Sequence, residues 1–373
     1  MSRITARSWS RRFGLCGLVP LVTLTVCSLC ARTAVAQHRP QELFFFLSTE
    51  YSQLNELETQ DLDDHDFTPS ADIFYSRSTD RFRILGEILL TDEEQELERF
   101  QVGWQLSEPT RIWLGRFHQS SSYWNTEFHH GQFLQTAITR PAIEEFEDVG
   151  GVLLMHTTGL LVEHQQELGG QAGLQISFYA GLSGTLESEV IEPFDLLDPE
   201  GGHGDSVSVR VGFLPEFLGD DQIGLTYGRH ELNVAADFVP PSTWPSGTDR
   251  LDLTTIGLYG DWSWGKWRLL AAGNDVDAAP GGGSSGVPSS FVGSYAQIEY
   301  RVKGPWTTYA RVEHTSGDEE YLDLFPQYVR NRSLVGGRWL FHAKHALNIE
   351  VETAEIRAGH FHRVMLQWSA VLP

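Results

Sequence analysis

The sequence predicts an all-β fold, a transmembrane antiparallel β-barrel of about sixteen strands with an inward-folded third outer loop. Three observations predict it. The chain opens with an export leader. Short stretches of alternating apolar and polar residues then follow one another to its end. The connections between these stretches alternate between long and short.

Residues 1–36 read as a signal peptide. Arg3, Arg7, Arg11 and Arg12 form its basic start, Phe13 to Ala31 is mostly apolar and uncharged, and Ala34-Val35-Ala36 fits the small-x-small cleavage rule. Arg11-Arg12 is a weak twin-arginine match, and Val26 and Leu29 are too large to precede a lipidated Cys27 or Cys30. All three cysteines (Cys16, Cys27 and Cys30) lie in this segment, so residues 37–373 contain neither disulfides nor cysteine metal sites. The leader carries five arginines and no acid, so the net charge of −23 becomes −28 without it. A charge of that sign argues against nucleic acid as a partner and suits a surface that meets cations or a divalent-bridged lipid leaflet. No apolar run long enough for a membrane helix follows the leader. Residues 37–373 are expected to form one barrel, because no linker-like break in composition divides them.

The strands are expected near 42–51, 68–78, 81–91, 95–107, 110–118, 150–163, 171–184, 205–215, 221–232, 250–262, 265–273, 291–302, 306–315, 328–341, 345–356 and 360–371. The fourth shows why: Phe100, Val102, Trp104 and Leu106 point one way and Arg99, Gln101, Gly103 and Gln105 the other. Leu347, Ile349 and Val351 alternate in the same way with Asn348, Glu350 and Glu352. With the N-terminus on the periplasmic side, even-numbered strands should end in short turns. Thr79-Asp80, Ser107-Glu108-Pro109, Ser263-Trp264, Lys303-Gly304-Pro305 and Ala343-Lys344 fit, and 164–170 and 216–220 are somewhat longer. Odd-numbered strands should end in outer loops, and 52–67, 119–149, 185–204, 233–249, 274–290 and 316–327 are long, while 92–94 and 357–359 are short. A soluble sandwich or propeller gives no reason for that alternation. Trp262, Trp264 and Trp267 at one periplasmic turn, with Trp104, Trp113, Trp306, Trp339 and Trp368 in or beside strands, suggest an aromatic girdle.

The longest connection runs from His118 to Val149. Tyr123, Trp124, Phe128, Phe133 and Phe146 make it too apolar to hang in water, and it also carries Glu127, His129, His130, Arg140, Glu144, Glu145, Glu147 and Asp148. Such a loop should pack against something, and inside a barrel it would narrow the lumen. In strand count, loop order and this loop, the whole chain after the leader resembles the Gram-negative outer-membrane porins. That resemblance implies a third loop folded inward as a constriction, a homotrimer, a place in the outer membrane among its lipids and lipopolysaccharide, and diffusion of small hydrophilic solutes. The chain departs from the usual pattern at its end, Trp368-Ser369-Ala370-Val371-Leu372-Pro373, where outer-membrane strands commonly finish on an aromatic residue.

Parity assigns the pore wall. Phe82, Ile84 and Ile88 outward put Arg83 and Glu87 inward, with Arg99 on the next strand; Val207, Val209, Val211 and Phe213 outward put Arg210 inward; Ala310 and Val312 outward put Arg311 and Glu313 inward; Val364, Leu366 and Trp368 outward put Arg363 inward. Arg116 has ambiguous parity beside Gly115. An arginine ladder facing acids on the third loop would set a transverse field that selects ions, as the porin resemblance also implies; the plainer reading is that these arginines are paired and only keep the interior hydrated.

Other chemistry is weaker. Asp61, Asp63, Asp64 and Asp66 lack the glycine and final glutamate of a calcium loop. Adjacent His129-His130 and His360-x-His362 rarely converge on one ion, so no metal and no cofactor is expected. An outer-membrane lipase would use a Ser–His pair on the barrel wall, and no isolated pair stands out; Glu144, Glu145, Glu147 and Asp148 do not by themselves make a glycosidase pair. A gated siderophore-type receptor is not expected, since no plug domain is read before the first strand. The expected function is a porin-like channel, with no catalytic residue. A barrel hydrolase and a closed structural or adhesive barrel are the alternatives.

Overall fold

The computed structural model describes residues 41–373 apart from 56–64, 93–94, 129–130, 188, 195, 197–202, 237, 239–247 and 282–287. The predicted leader and its cleavage site, His129, His130, and Asp61, Asp63 and Asp64 of the acidic cluster lie outside the described residues.

Sixteen strands form the wall: β1 Gln41–Asn55, β2 His65–Ser78, β3 Phe82–Thr91, β4 Gln95–Ser107, β5 Thr110–His118, β6 His156–Glu167, β7 Gly173–Leu182, β8 Asp205–Leu214, β9 Gln222–Val234, β10 Arg250–Trp264, β11 Trp267–Pro280, β12 Ser289–Arg301, β13 Trp306–Gly317, β14 Asn331–His342, β15 His345–Ile356 and β16 Gly359–Leu372. Each pairs antiparallel with the next in sequence, and β16 returns to β1 from Phe45 opposite Leu372 to Asn55 opposite His362. Closure leaves the wall without an open edge, so backbone donors and acceptors are satisfied within the sheet. A short hairpin, Thr185–Leu186 with Ile191–Glu192, sits in the outer connection after β7 and pairs parallel with the outer end of β9. No helix among the described residues is long and apolar enough to cross a membrane.

The outer face explains why these residues form these strands. Leu114, Leu225, Leu258, Val312 and Val335 are each 59–64% exposed, while their sequence neighbours turn into the barrel. A soluble protein does not leave so much of its sheet surface apolar and uncovered, whereas a bilayer rewards it. Trp262, Trp264, Trp267, Trp306 and Trp339 ring the end that carries the short turns, with Trp306 and Trp339 stacked at 5.2 Å. Trp368 stacks with His345 near the same end, at 5.8 Å.

Three expectations are corrected. Trp113 does not join the girdle; it is buried facing inward, its ring lying over Gly103. The sixth strand begins at His156, not near residue 150. The apolar run Val152, Leu154 and Met155 that looks like strand is buried as the last part of the third loop. β11 continues to Pro280 and shortens the following connection. Its outer end reads Asn274-Asp275-Val276-Asp277-Ala278, with the acids exposed outside and Val276 and Ala278 fully buried inside. Beyond the lipid belt the polarity of the wall inverts: Leu232, Leu251 and Leu253 on β9 and β10 are also fully buried inside. That apolar inner patch is what the third loop covers.

Candidate functional site

The third loop leaves β5 after His118, crosses the lumen, and returns to β6. Its short helix α1, Tyr123–Phe128, is followed by the 3-10 turns Ala142–Glu144 and Glu147–Val149. Aromatic packing holds the helix on the far wall. Tyr123 stacks on Tyr259 of β10 at 4.8 Å and donates its hydroxyl to Asp261 at 2.7 Å. Trp124 meets Tyr295 of β12 edge-on, and the Arg311 guanidinium lies 5.6 Å from its ring centre.

The stretch after the helix is held through its backbone. The Arg338 side chain donates to the Phe133 and Gln135 carbonyls. The amides of Ile138 and Thr139 donate to Glu350, at 3.0 and 3.3 Å, and the Ala142 amide donates to Glu313 at 2.7 Å. Arg311 donates to the Thr139 and Arg140 carbonyls at 2.9 and 3.0 Å, and Arg332 to that of Arg140 at 2.7 Å. β13, β14 and β15 therefore grip the loop on the side of the barrel opposite its roots.

Polar cavities lie on both sides of it. On the outer side, cavities of about 480 and 570 Å³ share Glu50, Asp66, Glu145, Arg332 and Arg363 among their lining. On the short-turn side, a cavity of about 1330 Å³ is bordered by Glu127, Asp261, Lys266, Arg268, Arg301 and Arg338. Phe128 borders cavities on both sides.

Parity put Glu87, Arg99, Arg210, Arg311, Glu313 and Arg363 inside, and there they are; Arg83 is half-buried, 3.0 Å from Ser76, to which it donates. Their partners differ from the expected ladder facing loop acids across a gap. Glu87 with Arg99, Glu313 with Arg332, and Glu352 with Arg363 are direct cross-strand pairs, and each makes an ion pair along the wall. Neighbouring strands hold opposite residues about 5 Å apart, so inward acids and arginines neutralise each other along the wall, and where such a pair also reaches the loop, as Glu313 and Arg332 do, it meets backbone groups and not loop acids. Arg210 instead donates to Thr126 of the loop at 2.6 Å. Arg116, ambiguous by parity, is buried and paired with Glu96.

The loop acids divide. Glu144 is buried, accepts a hydrogen bond from Ser122, and burial pushes its carboxyl up to about 7 against the opposing pull of Ser122 and Arg140. Glu147 is fully buried; burial would raise it, but the adjacent His156 holds it below the ordinary value. Burial raises Asp148 and Glu127. Arg140 lies 3.8 Å over the Phe146 ring and donates to the Glu144 carbonyl at 2.9 Å. Glu145 borders the outer cavities. Sequence reasoning did not single out Arg332, Arg338 or Glu350 as site residues, although Val335 and Ile349, both outward, give the parity that turns them in. Gly282-Gly283-Ser284-Ser285-Gly286 has the spacing G-x-S-x-G, but it connects two strands, whereas a nucleophile elbow needs a strand-to-helix turn, and it lies outside the described residues.

A closed sixteen-strand antiparallel barrel with an apolar exterior and a loop across its lumen defines the class: a membrane-spanning barrel of porin type. No protein-family model matches the chain, and no curated protein matches it. Solved structures do. OmpF of Salmonella typhi, in complex with daunomycin, is similar at a TM-score of 0.58 and 10% identity, covering 90% of this chain and 98% of that one. The outer-membrane channel DcaP of Acinetobacter baumannii is similar at 0.55 and 10% identity, covering 89% and 97%. The trimer form of OmpT, an outer membrane protein of Vibrio cholerae, is similar at 0.54 and 11% identity, covering 89% and 99%. At such identities the likeness is one of fold, and the fold is that of the outer-membrane porins.

Proposed function

We propose that this chain is an outer-membrane channel through which small hydrophilic solutes diffuse passively, with a preference for cations, and that it works as a homotrimer without catalytic chemistry. The observation that carries the reading is the loop docked across a closed barrel with polar cavities on both of its sides. Such an arrangement sets a size limit without closing the barrel's ends. The cation preference rests on charge. The outer cavity of about 480 Å³ is lined by six carboxylates against three arginines, and a low-dielectric wall focuses that excess. In this reading Arg83, Arg99, Arg210 and Arg363 tune the wall, Arg311 and Glu313 hold the loop, and Glu127 and Glu145 face the solute.

Planar-bilayer recording of the purified protein under a salt gradient tests it. Discrete steps with a reversal potential of cation sign are expected. Absence of steps from folded protein would favour a barrel closed at rest, a reading that the apolar docking of Tyr123, Trp124, Val152 and Leu154 supports. Chemical crosslinking in native membranes tests the trimer.

A further inference from the structure

Where the third loop leaves and rejoins the wall, three side chains from three adjacent strands converge. His118 is the last residue of β5 and His156 the first of β6, and the two are directly paired. Glu98 comes from β4, where a bulge between Glu87 and Leu89 interrupts the pairing with β3. One donor atom from each lies within 4.8 Å of the other two, and all three residues are buried. His156 Nε2 is 2.9 Å from Glu98, and the two imidazoles meet edge-on at 5.4 Å.

We propose that Glu98, His118 and His156 bind a divalent transition metal, with Zn²⁺ as the ion that suits them, and that the metal ties together both roots of the lumen-crossing loop. Two imidazoles and one carboxylate are a donor set for zinc; calcium and magnesium take oxygen donors alone. A tetrahedral ion with bonds of about 2.0–2.2 Å holds its donors roughly 3.3 Å apart, so side-chain adjustments of about 1 Å bring these three into place. The outer shell is also present. Glu147, from the loop itself, accepts from His156 Nδ1 at 3.1 Å, which orients the ring with Nε2 toward Glu98. A carboxylate on the far nitrogen of a ligating histidine is the usual support for such a ligand. Around the triad Glu87 is paired with Arg99 and lies 4.0 Å from His118, and Glu96 is paired with Arg116. Glu98 also borders the outer cavity, which gives an ion a way in.

The site is independent of whether the barrel conducts. The test uses the folded barrel purified from outer membranes, stripped with a chelator, and titrated with Zn²⁺ and, for its visible absorption, Co²⁺. One tight equivalent per chain is expected, with a Co²⁺ spectrum of mixed imidazole and carboxylate coordination. The His118→Ala, His156→Ala double variant should lose that equivalent. Glu147→Gln, which leaves all three ligands in place, should weaken binding by about 10–100-fold, the range for loss of such a support. Heat-modifiable gel mobility reports folding of each variant. If the double variant does not fold, Glu147→Gln decides, and unchanged affinity there overturns the proposal. No tight equivalent, or one that survives the double substitution in folded protein, also overturns it and leaves the cluster as a metal-free polar contact among the three side chains.

Discussion

Arg311 shows what a single inward side chain does here. It is 1% exposed and donates to Glu313 at 2.7 Å, Gln297 at 3.1 Å, the Thr139 hydroxyl at 2.7 Å and two loop carbonyls. Removing one partner of a buried pair costs about 3–5 kcal/mol, because the other charge is left without compensation. Arg311→Ala should therefore loosen the loop, and single-channel recording should register larger, noisier conductance; an unchanged trace would mean the loop is held elsewhere. Glu144 adds a pH dependence. Its folded-state value of about 7 lies above the ordinary 4.5, so the fold prefers the protonated acid. The stabilisation, on the order of 3 kcal/mol, is fully present below the unfolded value and is lost as pH rises through about 7. Loop noise should grow between about pH 5 and pH 8, and Glu144→Gln, which keeps an acceptor for Ser122, should flatten that rise. Parity made Arg311 and Glu313 legible in the sequence. It could not give their partners, because a loop carbonyl such as that of Thr139 or Arg140 leaves no mark in a side-chain pattern. Glu98, His118 and His156 were hidden for a related reason, since only strand register brings them side by side.

At the level of elements, inward aromatics lie flat over glycines on the neighbouring strand. Trp113 covers Gly103, Tyr259 covers Gly224, and Tyr309 covers Gly336, each directly paired across two strands. A ring laid against the wall occupies little of the lumen, and Tyr259 offers its other face to Tyr123 of α1. A Cβ at Gly224 would come within 2.4 Å of the Tyr259 ring. Gly224→Val should force that ring to turn, at the roughly 1–3 kcal/mol typical of overpacking, and take the platform from under α1. The barrel should still migrate as folded in a heat-modifiability gel while its conductance rises. Loss of the folded band instead would show that Gly224 supports the wall and not the loop. The strands were legible because a half-buried strand repeats every two residues. The start of β6 was not, because Val152 and Leu154 are apolar for a different reason: they pack in one cluster with the inverted inner wall at Leu232, Leu251 and Val276. Periodicity reports that a residue is buried, and it does not tell a wall from what is docked on it.

On the scale of the whole molecule, net charge and local charge have to be separated. The chain carries −23 overall, but most inward arginines are neutralised by a wall acid, so selectivity falls to the carboxylates that border the cavities and are not paired with a wall arginine. Glu50, Asp66 and Glu145 border both outer cavities. If they set the preference, Glu50→Gln with Glu145→Gln should move the reversal potential toward zero. Arg83→Ala with Arg99→Ala should move it the other way, because the wall loses two positive charges and Glu87 loses its arginine. Salt should weaken both effects, since the screening length falls from about 10 Å at 0.1 M to about 3 Å at 1 M, shorter than the span of the cavities. The two double variants thus predict shifts of opposite sign from one wild-type baseline, measured in the same salt gradient. Shifts of the same sign, or a wild-type reversal potential of anion sign, would mean that the paired arginines, and not the cavity acids, face the permeating ion.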